Sequence, residues 1–352
     1  MHNRLRPFLH RYIPANFHDP VGLFIRLVRS GERAALFAMY TAALGILCSP
    51  LDLLWQRQER ARYRNATHSR LPLIFVCGAP RTGTTLTTQV LIHHLPVTYI
   101  NNITSIFSRA PIMASLSLCK PVYNRNVDFK SYYGKSSGFA APNDALYLWD
   151  RWFGKDRAVI PTTLGHEEQQ AMVQFFAAYE EAFQRPLVTK NNNLNTYASL
   201  VADVLENAYF ICMTREPIYH AQALLRARRD IHGDESLAYG INQPTTTEPN
   251  TVIEDVCQQT LFHAQVIQQQ QAKIGAKRFL IVPYEEFCAA PDQLVQRVAE
   301  EILGDPIDSA ALKQALPPFQ HTNRINIEPQ LFEQLQQTLT QLERTLCPRI
   351  NC

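Results

Sequence analysis

The pattern of apolar and polar positions predicts strands and helices that alternate along most of the chain. Runs of apolar residues without polar alternation are typical of buried parallel strands; they cover residues 73–77, 97–100, 186–189, 208–213 and 279–282. Helical periodicity covers 83–94, 103–119, 166–183, 195–206, 251–274, 291–303 and 328–346. Strands that alternate with helices imply right-handed crossovers. We therefore expect a three-layer α/β/α fold around a central parallel sheet of about five strands.

The first 70 residues do not follow this alternation. Residues 19–33 predict a basic amphipathic helix, with Asp19 as N-cap and Pro20 at the first helical position. Residues 34–48 are almost entirely apolar, but Pro50 and Asp52 interrupt any longer segment. This stretch is shorter than the ~20 residues that span a bilayer. A buried core helix and an interfacial helical hairpin both fit it better than a spanning helix.

Positive charge is concentrated in the same segment. The chain of 352 residues has a net charge of +3, whereas residues 1–70 hold eleven arginines and four acidic residues. Two interpretations remain open: a solvated basic face, or attraction to anionic lipid worth about 1 kcal/mol per basic residue. Nucleic-acid binding is not expected, because the basic excess accompanies an apolar segment instead of a groove.

The cysteine pattern indicates the redox environment of the cellular compartment in which the protein works. The eight cysteines show neither paired spacing nor a metal-binding pattern, which is typical of a reducing environment. The first long apolar stretch begins only near residue 35, too late for a secretory signal. We expect a cytoplasmic protein, with peripheral attachment to the inner face of a membrane through residues 1–70 as an alternative.

We expect the chain to have two parts. Residues 71–352 form the main α/β domain, and residues 1–70 form a helical N-terminal segment. Within the domain, residues 120–165 show no clear period and are rich in Tyr, Gly, Asn and Trp. An irregular stretch of this length usually belongs to a substrate site or a lid.

A glycine-rich loop follows the first predicted strand. Gly78 and Gly83 are separated by four residues, and a helix begins directly after them, as in loops that bind phosphate. A triphosphate-binding loop would carry Lys where Thr84 stands, and the only cation in this loop is Arg81. The loop therefore predicts phosphate binding without ATP chemistry. The hydroxyls of Thr84 and Thr85 are also expected to cap the helix.

Three cations each follow a predicted buried strand: Arg81, Lys190 and Arg215. Because the carboxyl ends of parallel strands meet at one edge of a sheet, we expect these side chains to lie together. With the backbone N–H groups of the loop, they predict a compact site for a multiply anionic ligand.

Four short motifs of the chain resemble those of a known enzyme family. The sequence Gly-Ala-Pro-Arg-Thr-Gly-Thr-Thr-Leu at 78–86 resembles the 5′-phosphosulfate loop of sulfotransferases that use 3′-phosphoadenosine 5′-phosphosulfate (PAPS). Residues 209–217 resemble their 3′-phosphate segment, and Thr189-Lys190-Asn191 resembles the Lys-centred strand between the two. Tyr284-Glu285-Glu286 is similar to a later motif. The resemblance covers about residues 71–305 and implies a P-loop NTPase-like fold.

The resemblance implies roles for these residues. Arg81 would hold the 5′-phosphate and bridging oxygen, Lys190 would stabilise the sulfuryl oxygens, and Arg215 would hold the 3′-phosphate. Arg324 is a candidate for a second contact to the 3′-phosphate. Transfer would be in line and would need no metal. The remaining loop residues implied in donor binding are Gly78, Ala79, Pro80, Thr82, Gly83, Thr84 and Thr85.

The chain differs from the family pattern at residues expected for donor binding and for the general base. Ala223 stands where relatives place a donor-binding Ser, although Gln222 and Arg226 lie nearby. The general base is also missing, because Asn192 and Asn102 occupy the positions at which relatives carry His or Glu.

Asp144 is our candidate for the missing base, because it lies in the irregular segment and a carboxylate there could take a proton from a sugar hydroxyl. The alternative is that Asp144 caps a helix beginning at Ala145.

The sequence thus predicts a sulfotransferase that moves the sulfuryl group of PAPS to a hydroxyl, rather than an amine, of a glycan or lipid-linked acceptor. Two alternatives remain. A P-loop kinase or NTPase would require a Lys at position 84 and a carboxylate for Mg²⁺. A non-catalytic relative that binds PAPS or its product would explain the departures at Ala223, Asn102 and Asn192.

Overall fold

A parallel five-stranded sheet forms the centre of the computed structural model, which describes residues 19–122, 129–242 and 248–346. The strand order is β2-β3-β1-β4-β5, and every neighbouring pair is parallel. The predicted fold class is confirmed. The strands are β1 (Leu73–Gly78), β2 (Thr98–Tyr99), β3 (Leu187–Lys190), β4 (Ala208–Thr214) and β5 (Phe279–Pro283).

Helices surround this sheet and precede it. The N-terminal helices are α1 (Pro20–Arg29), α2 (Arg33–Leu47) and α3 (Ser49–Asn65). The following helices are α4 (Thr84–His94), α5 (Ile103–Ile106), α6 (Pro111–Leu118), α7 (Leu146–Phe153), α8 (His166–Phe183), α9 (Leu194–Ala202), α10 (Pro217–Ala227), α11 (Val252–Ile274), α12 (Tyr284–Ala289), α13 (Pro291–Arg297), α14 (Ser309–Ala315) and α15 (Pro329–Leu346). Helices α10 and α13 continue into π-helical turns, Arg228–His232 and Val298–Leu303.

Both faces of β1 are buried, which explains its unbroken apolar sequence. Phe75 packs into one layer of the core with α7, α8 and α9. Ile74 and Val76 pack into the opposite layer with α4, α12 and α13. Since neither face meets water, no polar alternation is required along the strand.

Two predicted elements differ from the observed ones. The single helix expected over 103–119 is two helices, because Pro111 begins α6 after a short turn. The irregular stretch contains α7, whereas its described remainder, 120–122, 129–145 and 154–165, has no further helix.

Helix α3 contributes two buried carboxylates to the core. The Asp52 side chain accepts a hydrogen bond from the backbone N–H of Arg109 (3.1 Å). The Glu59 side chain accepts from the N–H groups of Ile112 (3.1 Å) and Met113 (2.8 Å), in the first turn of α6. These N–H groups have no carbonyl partner within their own helix, and negative charge is stabilising there. Helix α3 is therefore anchored to the start of α6 and to the residues just before it.

The helical pair α2 and α3 covers the apolar stretch of the N-terminal segment. Within the described ranges, no single helix is long and apolar enough to cross a membrane. Together α2 and α3 have the length and composition to do so, but they are bent by 74° at the break between them. Ala34, Ala35 and Thr41 of α2 are buried, while Leu47 at its end is exposed.

Replacing Asp52 with Ala should lower the free energy of unfolding by about 1–3 kcal/mol, because buried N–H groups would lose their acceptor. Urea denaturation of Asp52→Ala and of the control Gln58→Ala, an exposed position on the same helix, measures this difference. Equal unfolding midpoints for the two variants would contradict the anchoring role of Asp52.

Candidate functional site

A cleft of about 710 Å³ opens at the carboxyl edge of the sheet. Its walls come from the glycine-rich loop, the turn between α1 and α2, the segment 129–146, and the residues that follow β3 and β4. Its lining residues include Glu32, Arg33, Ala34, Pro80, Arg81, Gly83, Thr84, Thr85, Tyr133, Gly134, Ser137, Asp144, Asn192, Arg215, Gly240, Tyr284 and Thr322.

The glycine-rich loop adopts a strained, closely packed conformation. At Gly78 φ is 139°, and a Cβ there would overlap the carbonyl of Met213. The Thr82 hydroxyl donates to the Ala79 carbonyl (2.7 Å) and closes the turn. Arg81 has a φ of 76°, in the left-handed region that non-glycine residues rarely adopt. Such strain is typical of functional loops.

Tyr284 connects the loop to the cation after β4. Gly83 has a φ of 92°, and a Cβ on it would overlap the Tyr284 ring. The Arg215 guanidinium lies 5.2 Å from the centroid of that ring. Arg215 Nη1 also donates to the carbonyl of Arg81 (3.0 Å). The loop and Arg215 are thus held as one unit.

The threonines at the start of α4 do not cap it, contrary to expectation. Thr84 Oγ1 donates to Asn192 Oδ1 (3.0 Å), and Thr85 Oγ1 accepts from Lys190 Nζ (3.0 Å). Gly83 is the N-cap and supplies no side chain. The first N–H groups of α4 therefore have no side-chain acceptor, and their dipoles favour an anion.

Lys190 lies beneath the cleft and is almost fully buried. Its side chain is 4% exposed, and Nζ lies 3.3 Å from Asp144 Oδ2. The same nitrogen contacts Thr85 Oγ1 and, at 3.5 Å, the carbonyl of Gly134. A buried ammonium requires such partners, because an isolated charge would be strongly destabilised.

Asp144 lines the cleft and does not cap a helix. Asn143 Oδ1 accepts the Ala145 N–H (2.7 Å), and α7 begins without a side-chain cap, so the capping alternative is wrong. Burial raises the pKa of Asp144, but Lys190 and then Lys135 outweigh it, so the pKa lies below its ordinary value. Burial lowers the pKa of Lys190, which Asp144 partly offsets. Each side chain therefore stabilises the charged form of the other.

Tyr133 lines the cleft beside Arg81 and was not among the residues predicted from the sequence. The Arg81 guanidinium lies 4.5 Å from the centroid of its ring, and the Tyr133 hydroxyl donates to Asp230. Arg81 Nε is buried and has no hydrogen-bond partner among the described residues, so it can donate to a ligand. The sequence feature that could have indicated Tyr133 is the run Tyr132-Tyr133-Gly134 inside the irregular segment. In the structure, Tyr133 has a φ of 45°.

Arg215 is bound by a loop near the C-terminus. Its Nε donates to Asn323 Oδ1 (2.9 Å), and Nη2 donates to Thr322 Oγ1 (3.2 Å). The Glu285 carboxylate in turn accepts from Asn323 Nδ2 (2.6 Å). This loop therefore carries polar groups to the position expected for one end of the ligand.

The other two residues expected near Arg215 are arranged differently. Arg324 is exposed, and neither it nor Ala223 lines the cleft. Gln222 is buried instead, and its amide donates to the Arg324 carbonyl (3.0 Å) and accepts from the Asn326 N–H (2.8 Å). Gln222 thus holds the loop that contacts Arg215.

His220 supports the glycine-rich loop from below. Burial, followed by the neighbouring His263, lowers its pKa to about 3, so its ring is neutral. Its Nε2 lies 3.1 Å from the Pro80 carbonyl, to which it can donate. Gly240 packs so closely on Pro80 that a Cβ would overlap the proline ring. Neither residue belonged to the predicted site.

The tertiary structure thus places Arg81 and Arg215 in the lining of one cleft and buries Lys190 against two other lining residues, Thr85 at the uncapped start of α4 and Asp144. Among the described residues, no group of three or more His, Cys, Asp or Glu could hold a metal ion. The Asp144 carboxylate forms an ion pair with one of the three cations, Lys190. The arrangement can bind a multiply charged anion and can stabilise charge that develops on it.

Comparison with known proteins agrees with this description. The model of the Sulfotransferase family matches residues 72–304. The chain is similar in structure to sulfotransferase STF9 from Mycobacterium avium, with a TM-score of 0.52, 14% identity, and coverage of 97% of this chain and 95% of that one. It also resembles sulfotransferase STF1 from Mycobacterium tuberculosis, with a TM-score of 0.46, 11% identity, and coverage of 94% and 93%. No curated protein sequence gives a significant match.

Replacing Gly83 with Ala should distort the loop, whereas the control Gly304→Ala should cost only backbone strain. Both glycines adopt the left-handed conformation, but a Cβ at Gly304 would meet nothing within 4 Å. We expect Gly83→Ala to lose about 1–3 kcal/mol more stability, since overpacking adds to the strain. Urea denaturation measures both variants, and similar losses would contradict the proposed fit of Tyr284 against Gly83.

Proposed function

This chain belongs to the sulfotransferase family, and we propose that it transfers a sulfuryl group from PAPS to the hydroxyl of an acceptor. The observation that carries the proposal is the position of Arg81, Lys190 and Arg215 around a helix start without a side-chain cap. A donor with a 5′-phosphosulfate and a 3′-phosphate has the charges that these groups would bind.

The residues of the cleft fit the two charged ends of this donor. The N–H groups at Gly83 and Thr84 would bind the 5′-phosphate, together with Arg81 Nε, which has no hydrogen-bond partner among the described residues. Arg215, together with Thr322 and Asn323, would bind the 3′-phosphate. The role of Ala223 and of Arg324 in donor binding stays a prediction, since neither lines the cleft.

In the proposed reaction, Asp144 accepts the proton of the acceptor hydroxyl. The hydroxyl oxygen forms a bond to sulfur while the bond from sulfur to the 5′-phosphate oxygen breaks. Lys190 stabilises the sulfuryl oxygens, and Arg81 stabilises the charge left on the phosphate. The contact between Lys190 and Asp144 supports this assignment, because one buried pair would then hold both the transferred group and the base. No metal enters the proposed step.

The acceptor and the location of the protein are also proposals. We propose a hydroxyl on a glycan or lipid-linked molecule, and a protein of the cytoplasm that docks peripherally on the inner face of a membrane through residues 1–70. Glu32 in the turn between α1 and α2 lines the cleft, together with Arg33 and Ala34 at the start of α2. A surface bound by these helices would therefore lie beside the acceptor site.

Donor binding is tested by titration calorimetry with 3′,5′-ADP in the presence of EDTA. Arg215→Ala should weaken binding by about 10- to 100-fold, the cost of hydrogen bonds to a charged group. The control Arg297→Ala removes an exposed guanidinium on α13 and should bind normally. A preference for ATP with Mg²⁺ would contradict the proposal and favour a kinase or NTPase.

The base is tested by the isosteric variant Asp144→Asn. Sulfuryl transfer should fall by about 10²- to 10⁴-fold, the usual contribution of a general base, while 3′,5′-ADP binding persists. Asp156→Asn is the matched control, because Asp156 is an exposed carboxylate of the same irregular segment. Unchanged transfer in Asp144→Asn would exclude Asp144 from the mechanism.

The pH profile of the wild-type enzyme provides a second readout of the same pair. Because the pKa of Asp144 lies below its ordinary value, transfer should decline only as the pH falls through that lowered pKa. On the alkaline side it should decline as the pH rises through the lowered pKa of Lys190. A single rise of activity near the pKa of an ordinary histidine, about 6.5, would point to a different base.

A further inference from the structure

Helix α1 turns an apolar face toward solvent. Four of its side chains recur at helical spacing on one face, with exposed fractions between 42% and 69%: Val21, Phe24, Ile25 and Val28. Arg26 points the other way, and its Nε donates to the carbonyl of Ile231 (3.1 Å). A helix on the surface of a globular protein normally buries its apolar face, so the orientation of α1 calls for an apolar partner.

The exposed apolar face continues along α2 and the start of α3. Among the described residues, 11 of the 16 large apolar side chains that are strongly exposed lie between residues 21 and 54. Leu47 at the end of α2 is 74% exposed, and Leu54 in the second turn of α3 is 59% exposed. Singly scattered apolar residues need no explanation, but such concentration marks an interaction surface.

The charge around this face identifies its partner. The exposed side chains on the three helices include Arg29, Arg33, Arg57, Arg60 and Arg64. The carboxylates of Asp52 and Glu59 are buried at the start of α6, and the exposed acidic residues between 19 and 65 are Asp19 and Glu32, so exposed arginine remains in excess. A second copy of the chain would bring like charges together, whereas anionic lipid headgroups would attract them at about 1 kcal/mol each.

An aromatic contact joins this face to the cleft. Phe139 is 39% exposed, and its ring centroid lies 5.3 Å from that of Phe37 and 6.2 Å from that of Tyr40 on α2. Ser137, two residues earlier, lines the cleft, as does Asp144. An apolar surface therefore meets the rim of the cleft in which the base is proposed.

We infer that helices α1–α3 lie on an anionic lipid surface and that the acceptor is an amphiphile held at that surface. Its apolar part would contact Phe37, Tyr40 and Phe139, and its hydroxyl would reach Asp144. This inference rests on the proposed sulfuryl transfer, and it selects the lipid-linked class over free glycans. It also explains why the turn between α1 and α2 lines the cleft.

Lipid binding is tested by co-flotation of the full chain with vesicles of phosphatidylcholine that contain phosphatidylglycerol. Binding should exceed that to phosphatidylcholine alone and should fall with added salt. The double variant Phe24→Asp with Leu47→Asp should lower the partition coefficient by about tenfold or more. The control Val159→Asp changes an exposed apolar residue outside the three helices and should bind as the wild type does.

Two outcomes of this experiment would overturn the lipid surface. One is equal flotation of the wild type and the double variant. The other is a dimer in sedimentation that the double variant dissociates, with no vesicle binding, which would assign the face to a second copy. Neither outcome affects donor binding, so a parallel titration with 3′,5′-ADP distinguishes failure of this inference from failure of the proposed function.

The acceptor class is tested with alkyl glucosides from methyl to octyl, kept below micelle-forming concentrations. The kcat/KM should rise with chain length by up to about fourfold per methylene that becomes buried. Phe139→Ser should flatten this dependence, whereas the control Val159→Ser should keep the dependence of the wild type. A kcat/KM that is independent of chain length in the wild type would overturn the amphiphile.

Discussion

The double burial of β1 is the constraint on which the site depends. The strand pairs with β3 on one side and β4 on the other, so Val76 lies opposite Lys190 and Gly78 lies opposite Met213. All three strands consequently end at one edge of the sheet. Because an unpaired charge inside such a sheet is strongly destabilised, Arg81 and Arg215 lie beyond the ends of β1 and β4, and Lys190 is the last residue of β3, where Asp144 pairs with it. The cluster of cations at the cleft is a consequence of this topology.

The pairing of Lys190 with Asp144 shows how charge is retained below the surface. Both side chains are largely buried, at 4% and 15% exposed, and each reduces the desolvation cost of the other. Thr85 supplies a further acceptor because its hydroxyl is not used to cap α4. The same choice leaves the helix N–H groups free for an anion. Buried charge and an uncapped helix are therefore two aspects of one arrangement.

The N-terminal helices combine a fixed inner side with an unpartnered outer side. Asp52 and Glu59 anchor α3 by accepting hydrogen bonds around the start of α6. Arg26 anchors α1 through the carbonyl of Ile231. Because polar contacts are made on the inner side, the apolar side chains of α1 face outward. The apolar surface beside the cleft therefore results from the orientation of these helices more than from their composition.

The sheet, the glycine-rich loop and the three cations could be predicted from the sequence, because unbroken apolar runs and turn residues are local signals. The partners of those residues are visible only in the folded chain. Thr84 bonds to Asn192 instead of capping its own helix, Asp144 pairs with Lys190, and Tyr133 lies over Arg81. Each contact joins residues more than 40 positions apart in the sequence. Local periodicity carries no information about such pairs, since they depend on how strands and loops meet at one edge of the sheet.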